Sequence, residues 1–330
     1  MNYTIDDIAK ELGMSKTTVS RAISGKGRIS EATRQRVNDF IKKIQYTPSA
    51  VARSLAASKT FNIGLVFPHD STLDEMPYFQ NVLAGACETA IGQNYDILVI
   101  LADNNDISAL QRAVLNKKLD GVIVSRCIKG SKVISYLKEN DLSFVVLGNP
   151  LDEDVSYVDN DNRGAAIKMI KSLASQNIHK FALIGGNADL YVTQSRLEGY
   201  IEGHNSSNIS VNEDLIFLNM HKGEQLGNVI SSILEKDVEC IVCMDDVLCN
   251  NTSIYLQNSG INVPNDVKLV SFYDSMLLSS HKPSITALSF DSRRLGAFGV
   301  ENLLHKINDG VSQNVILSDY DILMRESTGK

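Results

Sequence analysis

No stretch of this 330-residue chain runs to some 18 consecutive apolar residues, which excludes an ordinary membrane-spanning helix. The opening MNYTIDD has neither a basic nor an apolar segment, so no secretory signal is expected and the protein is placed in the cytoplasm. Cysteine is sparse: Cys87, Cys127, Cys240, Cys243 and Cys249. The C-x-x-C at 240–243 invites a zinc reading, but it lies in an apolar run, CIVCM, where residues three apart point to opposite faces of a strand. No second pair lies near it, so the thiols read as buried residues of a reducing compartment. The six histidines, at 69, 179, 204, 221, 281 and 305, show no metal-ligand spacing. A G-x-S-x-G elbow, a phosphate-binding G-x-x-x-x-G-K-[ST] and a G-x-G-x-x-G fingerprint are all missing; Gly185-Gly186 lacks the third glycine and reads as a tight turn. No metal, no cofactor and no enzymatic activity are expected.

What is there is divided. Residues 1–59 carry 11 lysines and arginines against 5 acids, and the rest carries 21 against 34, so the net charge of −7 hides a basic head on an acidic body. A basic head concentrates affinity for phosphate, which argues for a nucleic-acid module joined to something with another task.

The head reads as helix, turn, helix. Thr4 caps a first helix with Asp6 and Asp7 in its first turn, and Ile5, Ile8, Ala9 and Leu12 form one apolar face. Gly13 ends it, and Ser15 caps a second helix with Val19, Ala22 and Ile23 inward. The outward face of that helix is Lys16, Thr17, Ser20 and Arg21, hydroxyls and cations suited to a DNA major groove. Thr4, Ser15 and Arg28 complete the candidate DNA contacts of the head. A third helix, SEATRQRVNDFIKKI, starts at Ser30 and ends before Pro48. The segment SAVARSLAASKT spells a two-turn helix, too short to be stable alone in water.

From Phe61 apolar strand-like runs alternate with amphipathic helices, in two successive series, which predicts two open parallel sheets covered on both faces. Ligands in such folds bind beyond the carboxyl ends of the strands, and two facing sheets place those loops around one cleft.

The stretches TIDDIAKELGMSKTTVSRAISG, YTPSAVARSLAASKTFNIGLV, DNRGA, RLEGY and PSITAL resemble the LacI/GalR family of transcription regulators, over essentially the whole chain. More narrowly, FPHDSTLDEMPYF, VLGNPL, YVDNDN and LIGGNADLYVTQSRLEGY are similar to maltose-operon repressors of Gram-positive bacteria. The resemblance implies a homodimer with a small all-α helix-turn-helix head at 1–47, a hinge helix and linker at 48–60, and an α/β periplasmic-binding-protein-like core at 61–330 made of two doubly wound parallel-sheet subdomains. Lobe one is expected at about 61–160 and 291–319, lobe two at about 161–290 and 320–330. Leu55 would enter the minor groove at the centre of a palindromic operator, with Val51 and Ala52 pairing the hinge helices. The chain departs from the family at Asp245-Asp246 and at Ser271-Phe272-Tyr273-Asp274, both beside the expected pocket.

A sugar needs hydroxyl partners and an aromatic face. The strand-end loops offer Asp70, Tyr78 and Phe79 after the first strand, Arg126 after the third, Tyr191, Thr193 and Arg196 around RLEGY, and Asp246 and Asp274 on the far side. Arg196 is expected to donate to ring hydroxyls, Phe79 to stack and Asp274 to accept; Asp246 reads equally as the cap of the helix that follows it. The function expected is a repressor of sugar-utilisation genes released from its operator by maltose or a malto-oligosaccharide. The alternative is a catabolite-control-type regulator that uses a phosphoprotein corepressor.

Overall fold

The computed structural model describes residues 3–24, 27–44, 57, 59–69, 77–221 and 223–329. Val51, Ala52, Leu55 and Asp70 lie outside the described residues. The chain divides into two compact units, Met1–Thr60 and Phe61–Lys330.

In the first unit, α1 (Ile5–Leu12), α2 (Lys16–Ser24) and α3 (Glu31–Lys43) form one cluster. Thr4 and Asp7 satisfy each other's orphan amides: the Asp7 N–H donates to Thr4 Oγ1 at 3.3 Å and the Thr4 N–H to Asp7 Oδ2 at 2.9 Å. Gly13 takes φ +62°, the left-handed conformation that lets the chain turn into α2. Ser15 and Ser30 accept the N–H groups of Thr18 and Thr33 at 3.1 and 3.2 Å, capping α2 and α3. Ile8, Val19 and Val37, one per helix, are completely buried, so each helix spends its apolar face on the same small core.

The second unit holds two six-stranded sheets. The strands β1 (Asn62–Phe67), β2 (Asp96–Leu101), β3 (Gly121–Val124), β4 (Phe144–Leu147), β5 (Tyr157–Asn160) and β11 (Val315–Leu317) make the first, in the order β11-β5-β4-β3-β1-β2. The second runs β12-β10-β9-β8-β6-β7, from β6 (Phe181–Ile184), β7 (Ile216–Phe217), β8 (Cys240–Cys243), β9 (Lys268–Ser271), β10 (Thr286–Phe290) and β12 (Tyr320–Leu323). The helices between them are α4 (Pro77–Gly92), α5 (Ser108–Leu115), α6 (Lys132–Glu139), α7 (Asn162–Ala174), α8 (Tyr191–Ser206), α9 (Glu224–Leu234), α10 (Asp246–Asn258), α11 (Met276–Ser279) and α12 (Ser292–Asp309).

Every residue of β3, β4, β6 and β8 is buried, as their continuous apolar sequence requires of strands covered on both faces. Cys240 and Cys243 enter different core clusters on opposite faces of β8. Two strands depart from the expected pattern. β12 runs antiparallel to β10, because the chain returns to the second sheet without a covering helix between β11 and β12. β2, at the edge, leaves Leu98, Val99 and Leu101 about two-fifths exposed.

Helices α4 and α12 pack together across the first sheet at a distance only glycine permits. A Cβ on Gly85 would fall 1.8 Å from the Arg293 carbonyl oxygen, and one on Gly296 would fall 2.2 Å from that of Val82. The chain passes between the sheets three times, after β5, after β10 and between β11 and β12. The crossover after β5 borders the cleft between the two lobes through Asn160 and Asn162.

Candidate DNA-reading head and ligand cleft

On the head, Lys16, Thr17 and Arg21 are exposed and Ser20 is half-exposed on the face of α2 that turns away from Val19 and Ala22. Lys16 Nζ donates to Asp6 at 2.9 Å, an ion pair open to solvent and cheap to exchange for a phosphate or a base edge. The Arg21 side chain lies against Gly27, where a Cβ would meet its Cδ at 3.1 Å. Thr4 and Ser15 are spent as helix caps, and Arg28 is exposed just beyond the turn.

The cleft of the second unit consists of two chambers. The inner one, about 130 Å³, lies beside the crossover at Asp159–Asn162. The outer one, about 350 Å³, is lined by the loop at Asp103–Asn105 from lobe one and by Asn187 and His221 from lobe two. Between them the lobes touch through their backbones. Ile128 and Leu190 form an antiparallel bridge, with the Lys129 N–H donating to Asp189 O at 2.9 Å and the Tyr191 N–H to Cys127 O at 3.3 Å. Arg126, Leu190 and Asp245 line both chambers and so form the wall the two share.

Charge is concentrated in the inner chamber. Arg196, in the second turn of α8, is fixed by donating from Nε to Asn162 Oδ1 at 3.1 Å and from Nη1 to Met244 O at 2.6 Å. Its guanidinium carbon lies 5.9 Å from the Tyr273 ring centroid. Asp246 is only 1% exposed, and its Oδ2 has no hydrogen-bond partner. Burial pushes its pKa up to about 6; Ser275 lies close enough to oppose that rise, but no hydrogen bond joins Ser275 Oγ to the carboxylate. Asp159 is also pushed up to about 6 by burial, in spite of the Asn149 and Asn160 N–H groups it accepts at 2.9 and 2.8 Å. Burial raises Asp245 as well, and its Oδ1 accepts the Leu248 N–H at 2.8 Å. The cap of α10 is therefore Asp245, not Asp246, which leaves the Asp246 carboxylate for the cleft.

The aromatic wall comes from both lobes. Tyr78 donates to Ser125 O at 3.4 Å and meets Tyr273 edge-on at 6.2 Å. The Tyr273 hydroxyl pairs with Ser292 Oγ, at the start of α12, at 2.8 Å. Phe79 is 3% exposed, held edge-on by Phe67 and Tyr78, with the Arg126 guanidinium 5.3 Å over its ring.

The structure thus brings Tyr78, Phe79, Arg126, Arg196 and Asp246 together around one chamber. Three other sequence candidates lie elsewhere. The Asp274 carboxylate is taken by Arg325 and does not line either chamber; the residue of that segment that faces the cleft is Tyr273. Thr193 is buried in the first turn of α8 and lines neither chamber. Tyr191 packs on the lobe-one core and lines a separate groove. Asp159 escaped sequence reasoning, and Asp245 and Tyr273 were noted only as departures beside the pocket, although each lies within two residues of a strand's carboxyl end, where an open α/β sheet collects its ligand groups. Among the described residues no group of three His, Cys, Asp or Glu could hold a metal ion, and no helix is long and apolar enough to cross a membrane.

Comparison with known proteins gives the same division of the chain. Residues 4–49 match the family described as bacterial regulatory proteins, lacI family, and residues 60–321 match the periplasmic binding proteins and sugar binding domain of LacI family. The HTH-type transcriptional regulator MalR of Streptococcus pneumoniae is 30% identical over 323 residues, covering 96% of each chain. Catabolite control protein A of Staphylococcus xylosus is 28% identical over 322 residues, covering 96% of this chain and 97% of the relative. Among solved structures, the lac repressor dimer bound to operator and the anti-inducer ONPF superposes with a TM-score of 0.80 over 99% of each chain at 19% identity, a likeness of fold.

Proposed function

Because the chain belongs to the lacI family of bacterial regulatory proteins, we propose that it represses sugar-utilisation genes and is released from a palindromic operator by maltose or a short malto-oligosaccharide. As a member of that family it is a DNA-binding transcriptional regulator with a helix-turn-helix head, not an enzyme. Lys16 and Thr17 would read base edges from the N-terminal end of α2 and Arg21 from one turn further on, with Ser20, Thr4, Ser15 and Arg28 on the flanking backbone. Leu55, on a hinge helix within 48–60, would wedge the minor groove at the dyad.

A palindromic site asks for a two-fold dimer. The exposed apolar side chains of β2, together with Ile254, Met276 and Leu277 on lobe two, supply surface for one.

The observation that carries the effector reading is the buried, unpartnered Oδ2 of Asp246 opposite Arg196 in a cleft with an aromatic wall. An acceptor kept dry and unbonded is costly unless a ligand hydroxyl completes it. Tyr78, Phe79, Arg126, Arg196 and Asp246 are the proposed contacts, and the similarity to MalR supports maltose as the first sugar to test. The full-length protein would be used to select its operator from random duplexes and then titrated with a sugar panel. Release by maltodextrins alone fits the proposal; indifference to every sugar would refute it.

The similarity to catabolite control protein A favours a second reading, in which a phosphoprotein corepressor sets DNA affinity and the cleft only modulates it. Operator binding that requires an added phosphoprotein would select that reading.

A further inference from the structure

Phe61 stands where the chain enters the second unit, and its backbone is strained there. Its φ is +58°, in the left-handed region that a bulky side chain seldom occupies. Asn94, Lys117, Asp141, Asn177, Asn208 and Asp237 also take positive φ, but each lies two or three residues beyond the end of a helix, in the turn that closes it. Phe61 instead precedes a strand, and its neighbours hold it from three sides. Its N–H donates to Asp120 Oδ2 at 2.9 Å, its carbonyl accepts the Asp96 N–H at 2.9 Å, and its ring meets that of Tyr95 with centroids 5.5 Å apart. Tyr95 is itself buried; burial and the nearby Asp120 carboxylate push its hydroxyl up to about 12. A strained residue persists where its surroundings over-determine it, and such residues collect at ligand sites and switches. Phe61, Tyr95 and Asp120 line neither chamber of the cleft, which leaves the switch.

Two strands run from this clasp to the cleft. β1 begins at Asn62 and ends at Phe67, and Pro68 lines the outer chamber. β3 begins directly after Asp120, and Ser125 and Arg126 beyond its other end line the inner chamber. The two strands pair in parallel from Ile63 and Gly121 to Val66 and Val124. The Asp120 N–H donates to Asn62 O at 2.9 Å at one end, and Ser125 Oγ donates to Val66 O at 2.7 Å at the other. Six strand residues span roughly 20 Å, so the clasp lies too far from the cleft to touch a ligand there.

We propose that Phe61, Tyr95 and Asp120 are positioning residues: they clasp the chain where the linker leaves the core, and a ligand in the cleft acts on the DNA-binding head by shifting β1 and β3 and so loosening the clasp. The inference rests on the effector-released reading and names the device that would carry the release. Strain supplies the second state. Once Asp120 lets go of the N–H, Phe61 relaxes to the extended region, which lengthens β1 and redirects the chain that precedes it.

Operator affinity of the full-length protein, with and without maltose or the most effective of a sugar panel, gives the factor by which sugar weakens DNA binding. Asp120→Ala should shrink that factor at least about fivefold, while calorimetry on the DNA-free protein finds sugar affinity close to the parent's. Asp120→Asn keeps an acceptor for the Phe61 N–H and should restore the parent's factor. Phe61→Gly takes the left-handed φ without strain and drops the ring, so it should lose coupling as Asp120→Ala does, and it serves in place of that variant should Asp120→Ala fail to fold. A parental factor in either folded variant overturns the clasp and leaves the effector reading intact. A parent whose operator binding no sugar of the panel changes overturns both.

Discussion

Asp274 faces Arg325 in a two-pronged ion pair, Nη1 to Oδ1 at 2.6 Å and Nη2 to Oδ2 at 2.8 Å, with both side chains mostly shielded from water. Arg325 also donates to Ile285 O at 2.8 Å, so the pair ties the segment after β12 to the loops after β9 and before β10. Removing one partner strands the other's charge in a poorly solvated place. Asp274→Ala is expected to cost about 3 kcal/mol of stability, read by denaturant unfolding. Its sugar affinity should stay near the parent's; a large loss of sugar binding with full stability would return Asp274 to the pocket.

Arg21→Ala should reduce operator affinity by about 1–3 kcal/mol and relax preference at one base position of each half-site. A competition assay over single-base operator variants measures this. Unchanged base preference would remove Arg21 from the reading residues and leave it a phosphate contact.

Asp246 gives the cleft a pH dependence whose sign follows from its burial. The folded, ligand-free pKa of about 6 lies above the ordinary carboxylate value of 3.8, so the folded protein holds the proton more tightly than the unfolded chain. In isolation this group makes the free protein less stable as pH rises from about 4 to about 6. A sugar hydroxyl donating to Oδ2 prefers the ionised form. Sugar affinity is therefore expected to be full at pH 7.5 and to fall as pH drops through about 6, with proton release on binding near that pH. Calorimetry in buffers of different ionisation enthalpy detects the proton, and Asp246→Asn should flatten the Asp246 component of the profile. Asp159, raised to the same range, would supply what remains.

The edge strand β2 tests the proposed dimer. Val99 and Leu101 share one face of the strand and are 44% and 39% exposed. Replacing both with lysine should yield a monomer in sedimentation velocity, and operator affinity should collapse with it while maltose still binds. A lysine pair that leaves a dimer intact would exclude this edge from the interface.

Much of the architecture was legible because the signals are local. The caps at Thr4, Ser15 and Ser30, the glycine after Leu12 and the uninterrupted apolar strands at 121–124, 144–147, 181–184 and 240–243 each decide their own element. The cleft was legible as a set of loops, and Arg196, Arg126, Tyr78, Phe79 and Asp246 do converge there. What escaped depends on partners far away in sequence. Asp274 looked like a pocket acid because nothing near it announces Arg325, 51 residues on. Tyr273 looked like a departure from a family pattern, yet its hydroxyl reaches Ser292 in the other lobe. Asp246 read equally as a pocket acid and as the cap of α10, and the cap proves to be its neighbour Asp245, a choice between adjacent aspartates that local sequence leaves nearly even.

The three crossovers have a consequence for biosynthesis. Lobe one lacks both α12, which covers β3 and β4, and its edge strand β11 until residue 317 has left the ribosome, by which time most of lobe two already exists. The nascent first sheet therefore waits with the apolar surface around Ile123, Val145 and Leu147 awaiting Leu295, Val300 and Leu303. Such waiting surface is where a growing chain aggregates or recruits chaperones. A premature stop before residue 317, even one that leaves most of lobe two complete, would spoil the lobe that was started first, not merely the one being finished.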